Sequence, residues 1–260
     1  MSVYLVNNVR TVSDTKRAFY STHTRPINAI YRRVVEELMV EMHLLLVNTD
    51  FDYNSLYSLG VVGIYTRFMT GYEPEKDRES IYDAIIKAVQ GDPEKYKADA
   101  AEVLAAGKAL PSLDAFRSVL SEAKTDGNGD SLKANLHKII SNPKFKYSRL
   151  LATGLYNVLE EIDAEAIAND EKRNALLDEL AAALGFNNEL LKKDIDLYRS
   201  NLEKMAQAQE VMKDMIEAEK KKRAKREQEK IERDKKKAEE AQKASKPTDA
   251  PVDNAGSTAE

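Results

Sequence analysis

Between Thr24 and Val47 an apolar stripe at helical spacing widens until it covers nearly the whole circumference of a helix, and a chain carrying such a stretch is expected to bury it. Ile27, Ile30, Tyr31, Val34, Val35, Leu38, Met42, Leu45 and Leu46 recur at three- and four-residue steps. From Leu38 onward Val40, Leu44 and Val47 fill the opposite face. The pattern predicts a central buried helix, amphipathic where it starts and apolar all round where it ends. Pro26 fits its first turn, where a missing N–H costs nothing. Arg33 and Glu37 stand four apart and can pair, which leaves Glu41 to find its partner elsewhere.

The rest of the chain is punctuated by helix signals. Ser13 or Asp14 caps a short helix ending near His23, and the central helix stops at Asn48, where Asn, Thr and Asp cluster. A helix from Ser55 to Thr70 carries Gly60 and Gly63 on one face, each costing about 1 kcal/mol relative to Ala. Close approach to the central helix is the expected compensation, and Gly71 reads as the C-cap. Gly91, Asp92 and Pro93 read as C′ of one helix, then N-cap and N1 of the next. Gly107 closes that helix, Pro111-Ser112 opens another, and Asp130-Ser131 and Asn142-Pro143 punctuate two more. Gly185 ends a helix from about Glu171 to Leu184, and Phe186 can pack on Leu191 as a staple at the start of a long final helix. Met1 to Arg10 could pass for a strand, but nothing else in the sequence reads as a strand to pair with it. The class is all-α: a compact multi-helix domain around a central buried helix, followed by a long C-terminal helix or coiled coil.

In the final helix Leu191, Ile195, Tyr198, Leu202, Met205, Gln209, Met212 and Ile216 alternate four- and three-residue steps, a heptad seam with one polar member. The modest length of this seam favours docking on the chain's own body, hence a monomer, over a coiled-coil dimer. Beyond Ile216 the pairs Glu217–Lys221, Glu219–Arg223, Glu229–Arg233, Glu232–Lys236 and Glu239–Lys243 are spaced i, i+4 with the acid first, the order that sustains a solvated helix. From Asn187 to Lys243 such a helix would run roughly 85 Å at 1.5 Å per residue. The domain reading is therefore a flexible arm over 1–10, a helical globular domain over 11–186, and a long helix over 187–245 with its seam ending at Ile216. A tail over 246–260 follows, whose Pro, Ser, Thr and Asp predict disorder.

Charge placement separates these parts more than the formal net charge of -4 does. Thirteen bases face eight acids between Glu217 and Lys246, a net +5, so the remainder carries -9. Anionic lipid and nucleic acid are the partners a basic helix suggests, and interleaved Glu weakens both; no nucleic-acid partner is expected. Cysteine is absent, so there is no disulfide, thiolate metal site or thiol nucleophile, which fits a reducing compartment. The longest charge-free run, Tyr53 to Thr66, has 14 residues, short of the roughly 20 a membrane span needs. MSVYLVNNVR lacks the apolar core of a secretory signal and the Arg- and Ser-rich character of a transit peptide. The expectation is a protein that works where it is made, unless a leader was removed.

No catalytic, cofactor or metal residue is assigned. Asp126-Gly-Asn128-Gly-Asp130 imitates the start of a calcium loop, but its sixth position is Ser131 and its twelfth is His137, so it reads as a polar loop ending in a helix cap. Glu36, Glu37, Glu41 and His43 lack the spacing of a zinc or di-metal helix and read as a salt-bridge ladder. Gly107-Lys108 lacks the upstream Gly of a phosphate loop. Arg25, Arg32 and Arg33, with His23, form the one basic cluster of the body. These arginines either pair with neighbouring carboxylates or meet a partner's acidic surface, and they are the candidate partner-binding residues.

The flanks of the central stretch, TVSDTKRAFYSTHTRPI (Thr11 to Ile27) and VNTDFDYNSLYSLGVVGIYTRFMTGY (Val47 to Tyr72), together with KFKYSRLLATGLYNVLE (Lys144 to Glu160), resemble the thylakoid formation protein family, also described as a photosystem II biogenesis factor. The resemblance covers most of Thr11 to about Tyr198. It implies a peripheral thylakoid protein needed for normal accumulation of the FtsH-type membrane protease complex, and so for photosystem II repair. Photosystem II assembly or repair intermediates are further partners. The place implied is the cytoplasmic face of a cyanobacterial thylakoid and the soluble cytoplasm, or the chloroplast stroma if a transit peptide was removed. It brings no catalytic motif and no cofactor. The other reading kept open is a lipid-binding or membrane-organising protein acting through the basic C-terminal helix.

Overall fold

The computed structural model describes residues 10–244, and over them the chain forms eleven helices and no strand, as the all-α reading expects. The arm (but for Arg10) and the tail over 246–260 lie outside the described residues. The helices are α1 (Val12–Thr22), α2 (Ala29–Leu46), α3 (Ser55–Phe68), α4 (Glu75–Ala88), α5 (Pro93–Lys108), α6 (Leu113–Glu122), α7 (Ser131–Ser141), α8 (Arg149–Ile162), α9 (Ala164–Ala168), α10 (Asp170–Leu184) and α11 (Asn188–Ala244). Two compact units divide the chain, Met1–Gln207 and Ala208–Glu260, so the division falls inside α11 rather than before it.

A central buried helix exists, but it is α8 rather than the stretch after Thr24. Every residue of α8 from Leu150 to Leu159 is buried, around the whole circumference. Its closest neighbour is α3, and the crossing is made by glycine on both sides. A Cβ on Gly60 would stand 1.7 Å from the Leu150 carbonyl oxygen, and one on Gly154 would stand 1.8 Å from that of Leu56. Backbone therefore lies on backbone, and the cost of glycine in a helix is offset by the packing that such an approach permits. The close approach expected of Gly60 and Gly63 is real, yet its partner is α8: a Cβ on Gly63 would collide with the Asn157 side chain.

By contrast, α2 buries one face, with Tyr31, Val35, Leu38, Met39, Met42 and Leu45 inside, and leaves Leu44, Leu46 and Val47 exposed and Val40 half-buried. It has no glycine to admit a second backbone against its other side. That side, which the sequence pattern predicts to be buried, therefore stays largely open.

Helix ends follow local chemistry, with some shifts from the sequence reading. The cap of α1 is Thr11, not Ser13 or Asp14: the Asp14 N–H donates to Thr11 Oγ1 at 3.2 Å and the Thr11 N–H donates back to Asp14 Oδ2 at 3.1 Å, a reciprocal box. Asn28 caps α2 by accepting from the Ile30 N–H at 3.1 Å, which places Pro26 before the helix rather than in its first turn. Gly71, at φ +73°, lies beyond the C-cap Met69. After α4 the left-handed position is held by Gln90, at φ 64°, and Gly91 stands one residue on, its N–H donating to the Ile86 carbonyl at 2.8 Å. Asp92, Ser112, Asp130 and Gly185 cap where the sequence put them. No helix starts at Pro143; α8 waits for Ser148.

Within the first unit Leu191, Ile195, Tyr198 and Met205 are buried and Leu202 is half-buried, so this part of the seam docks on the chain's own body. Tyr198 meets the rings of Phe68 and Tyr156, and the Tyr147 hydroxyl donates to Asp194 at 2.8 Å. Phe186 packs with Phe145 and Tyr147. In the second unit Gln209 and Met212 are half-buried, Ile216 is exposed, and every side chain from Glu217 to Lys235 is exposed. Of the expected i, i+4 pairs whose side chains are described, Glu217–Lys221, Glu219–Arg223 and Glu229–Arg233 do not close. The ion pair present among the described residues there is Lys225–Glu229, at 4.0 Å.

Candidate functional site

The exposed side of α2 forms one wall of an open groove of about 790 Å³, which lies wholly within the first unit. Its apolar side chains are Val40, Leu44 and Leu45 of α2 and Leu197 of α11. Lys16 of α1, Lys146, Ser148 and Arg149 at the entry to α8, and Asn201 of α11 complete the rim. Leu44 is 56 % exposed and Leu197 40 %, so two large apolar groups of its lining stand in water. Four tertiary ties hold the walls. Thr15 Oγ1 lies 2.9 Å from His43 Nδ1 and Lys16 pairs with Glu36 at 3.1 Å, fixing α1 on α2. Arg149 pairs with Glu41, fixing the start of α8 on α2; this is the partner that Glu41 lacked on its own helix. The Tyr147–Asp194 hydrogen bond brings α11 to the same side.

The charges of the groove largely neutralise one another. Lys16 faces Glu36, Arg33 faces Glu37 at 2.7 Å, and Arg149 faces Glu41. The hydrogen bond from Lys16 holds the Glu36 carboxyl below its ordinary value. Burial raises the Glu41 carboxyl against the pull of Arg149. Lys146 is exposed, with no ion pair among the described residues. A surface of this kind recognises a partner by shape and apolar contact more than by net charge.

The three arginines singled out by sequence take different places. Arg25 binds the buried Asp77 of α4 through two nitrogens, at 2.8 and 2.9 Å, and so ties the segment before α2 to α4. Arg33 lines the groove. Arg32 is exposed, and its charge acts on Tyr20 and Glu36. His23 is buried, with Nδ1 at 3.0 Å from Ser80 Oγ, and burial lowers its pKa.

The residues weighed for metals have other partners. Asp126 accepts from the Asn128 N–H at 2.9 Å and faces Lys133 at 3.5 Å, while Asp130 caps α7. Glu36, Glu37 and Glu41 each hold a base, the salt-bridge ladder that the sequence reading expects, and His43 turns to Thr15. What sequence reasoning missed is the groove itself. The available signal was the second apolar face of α2, which the sequence reading expects to be buried with the Ser55 to Thr70 helix close by; Leu197, off the seam of α11, gave no signal of its own.

A family model described as thylakoid formation protein matches residues 11–227. Protein Thf1 of Nostoc punctiforme is 53% identical over 218 residues, which span 84% of this chain and 92% of that protein. Protein Thf1 of Crocosphaera subtropica is 51% identical over 219 residues, with 84% and 89% covered. A solved structure of Psb29, at 1.55 Å, is similar with a TM-score of 0.72 and 45% identity, covering 83% of this chain and 99% of that one.

Proposed function

Because the chain belongs to the thylakoid formation protein family, we propose that it is a non-enzymatic accessory protein that supports accumulation of an FtsH-type membrane protease, and through it photosystem II repair, by offering a docking surface. Membership itself carries a thylakoid-related accessory role. No helix among the described residues is long and apolar enough to cross a membrane, in keeping with peripheral attachment. The cytoplasmic face of the thylakoid is the proposed place.

The observation that carries the docking reading is the groove, where Leu44 and Leu197 stay uncovered although all the charges around them but Lys146 are already paired. Desolvating paired charges and exposed leucines on contact costs less than desolvating lone charges, so such a surface is ready to take a partner. The protease complex is the partner that the resemblance implies, with photosystem II intermediates beside it. Arg32 and Arg33 are assigned to the rim of the contact; Arg25 is assigned to it through the loop it holds against α4.

A strain lacking the protein tests both levels. It should hold less of the protease and recover photosystem II activity slowly after strong light. Complementation by Leu44→Asp or by the Arg32→Glu, Arg33→Glu double variant should fail while circular dichroism stays helical. Normal protease levels and normal recovery in the deletion strain reject the function. Full rescue by every variant keeps the function and rejects this surface.

A further inference from the structure

Past Ile216 the four- and three-residue steps of the seam do not stop; they change chemistry. Counting on from Met212 and Ile216, the next positions are Glu219, Arg223, Arg226, Lys230, Arg233, Lys237 and Glu240. Five successive positions between two acids are therefore basic, and they fall on one face of a continuous helix. All five side chains are exposed, and none has an ion-pair partner among the described residues. Glu217 and Glu232 project from the far side of the helix, and Glu227, Glu229 and Asp234 from its flanks. The acids that dilute the charge of this segment in sequence thus stand largely off the row in space. From Arg223 to Lys237 the row is about 21 Å long at 1.5 Å per residue. Immediately before it Met215, 67 % exposed, and Ile216, 46 % exposed, lie on or beside the same face, with Val211 flanking them.

We propose that this face, Val211 to Lys237 of α11, binds an anionic lipid surface, with the basic row on the headgroup phosphates and Met215 and Ile216 entering the boundary above the acyl chains. A second copy of the chain does not fit, because a symmetric seam would set cation against cation at five positions. A lipid interface uses both halves of the face. Arginine forks match phosphate oxygens, and apolar groups beside them gain by leaving water. Duplex nucleic acid would use only the basic half. The inference rests on this face alone and is independent of the groove and of its partner.

Flotation of the full chain with vesicles tests it. In about 0.15 M salt, where the screening length is about 8 Å, the protein should float with vesicles of equal parts phosphatidylglycerol and phosphatidylcholine and not with phosphatidylcholine alone. Replacing the row (Arg223→Gln, Arg226→Gln, Lys230→Gln, Arg233→Gln, Lys237→Gln) should lower partitioning by at least about tenfold. Replacing five cations off the row (Lys213→Gln, Lys220→Gln, Lys221→Gln, Lys225→Gln, Lys235→Gln) removes the same charge and should lower it by less than about threefold. Met215→Ser with Ile216→Ser should remove the binding that survives added salt. Equal losses in the two charge variants would reduce the effect to net charge and overturn the assignment of the face. Failure to float with the anionic vesicles, equal flotation with phosphatidylcholine, or retention on duplex DNA without flotation would each overturn the lipid assignment. Protease levels in the complemented strain report separately on the groove.

Discussion

Helices α2 and α8 both have apolar residues on more than one face, and only one of them is central. On α8, Gly154 leaves room for α3 to settle until main chain meets main chain, and nothing from Leu150 to Leu159 remains in water. On α2 the corresponding second face carries Val40 and Leu44, bulky groups with no glycine beside them, and it forms a groove wall. Apolar content says that a face would gain from burial. Small residues decide whether a second backbone can come close enough to bury it.

The largest effect expected from breaking this contrast is at the glycine crossing. Gly154→Ala or Gly60→Ala forces α3 and α8 apart and should cost about 3 kcal/mol or more, read as a fall in melting temperature. The double variant should cost less than the sum, because either methyl already opens the same crossing. Additive losses would mean that the two glycines do not share one contact.

Arg149→Ala comes next, at about 2 kcal/mol near neutral pH, because it strands the partly buried Glu41 carboxylate at the joint between the two helices. The pH dependence has a definite sign. A carboxyl whose pKa is raised on folding binds its proton more tightly in the fold, so its contribution is full below its ordinary value of 4.5 and is lost as the pH rises through the raised one. The variant should therefore recover part of its deficit on mild acidification, and Glu41→Gln in the same background should abolish that recovery. Thermal melts across this range decide it.

Leu44→Asp, on the α2 side of the contrast, should change stability by no more than about 0.5 kcal/mol, since the side chain is already exposed. A fall comparable to that of Gly154→Ala would show that the groove wall is core. Smallest of all, ending the chain after Ile216 should leave the melting temperature of the first unit nearly unchanged, because every described side chain from Glu217 to Lys235 is exposed. A clear fall would mean that the removed segment buries apolar surface.

The sequence by itself determined the class, several helix ends and the seam, because these depend on contacts within one helical turn. Asp92, Ser112 and Asp130 bind N–H groups two or three residues away, Gly185 supplies its own left-handed turn, and a heptad is visible wherever it occurs. The basic row beyond Ile216 was legible in the same way once the steps were carried forward. The candidate groove was not. Which helix stands at the centre, whom Glu41 pairs with, and whether Leu44 is covered depend on matches between distant segments. Gly60 announces a close approach but not to whom, and Gly154 answers it only because the fold brings the two carbonyl ridges together. Periodicity gives the width of an apolar face; only the packed structure supplies, or withholds, the neighbour that fills it.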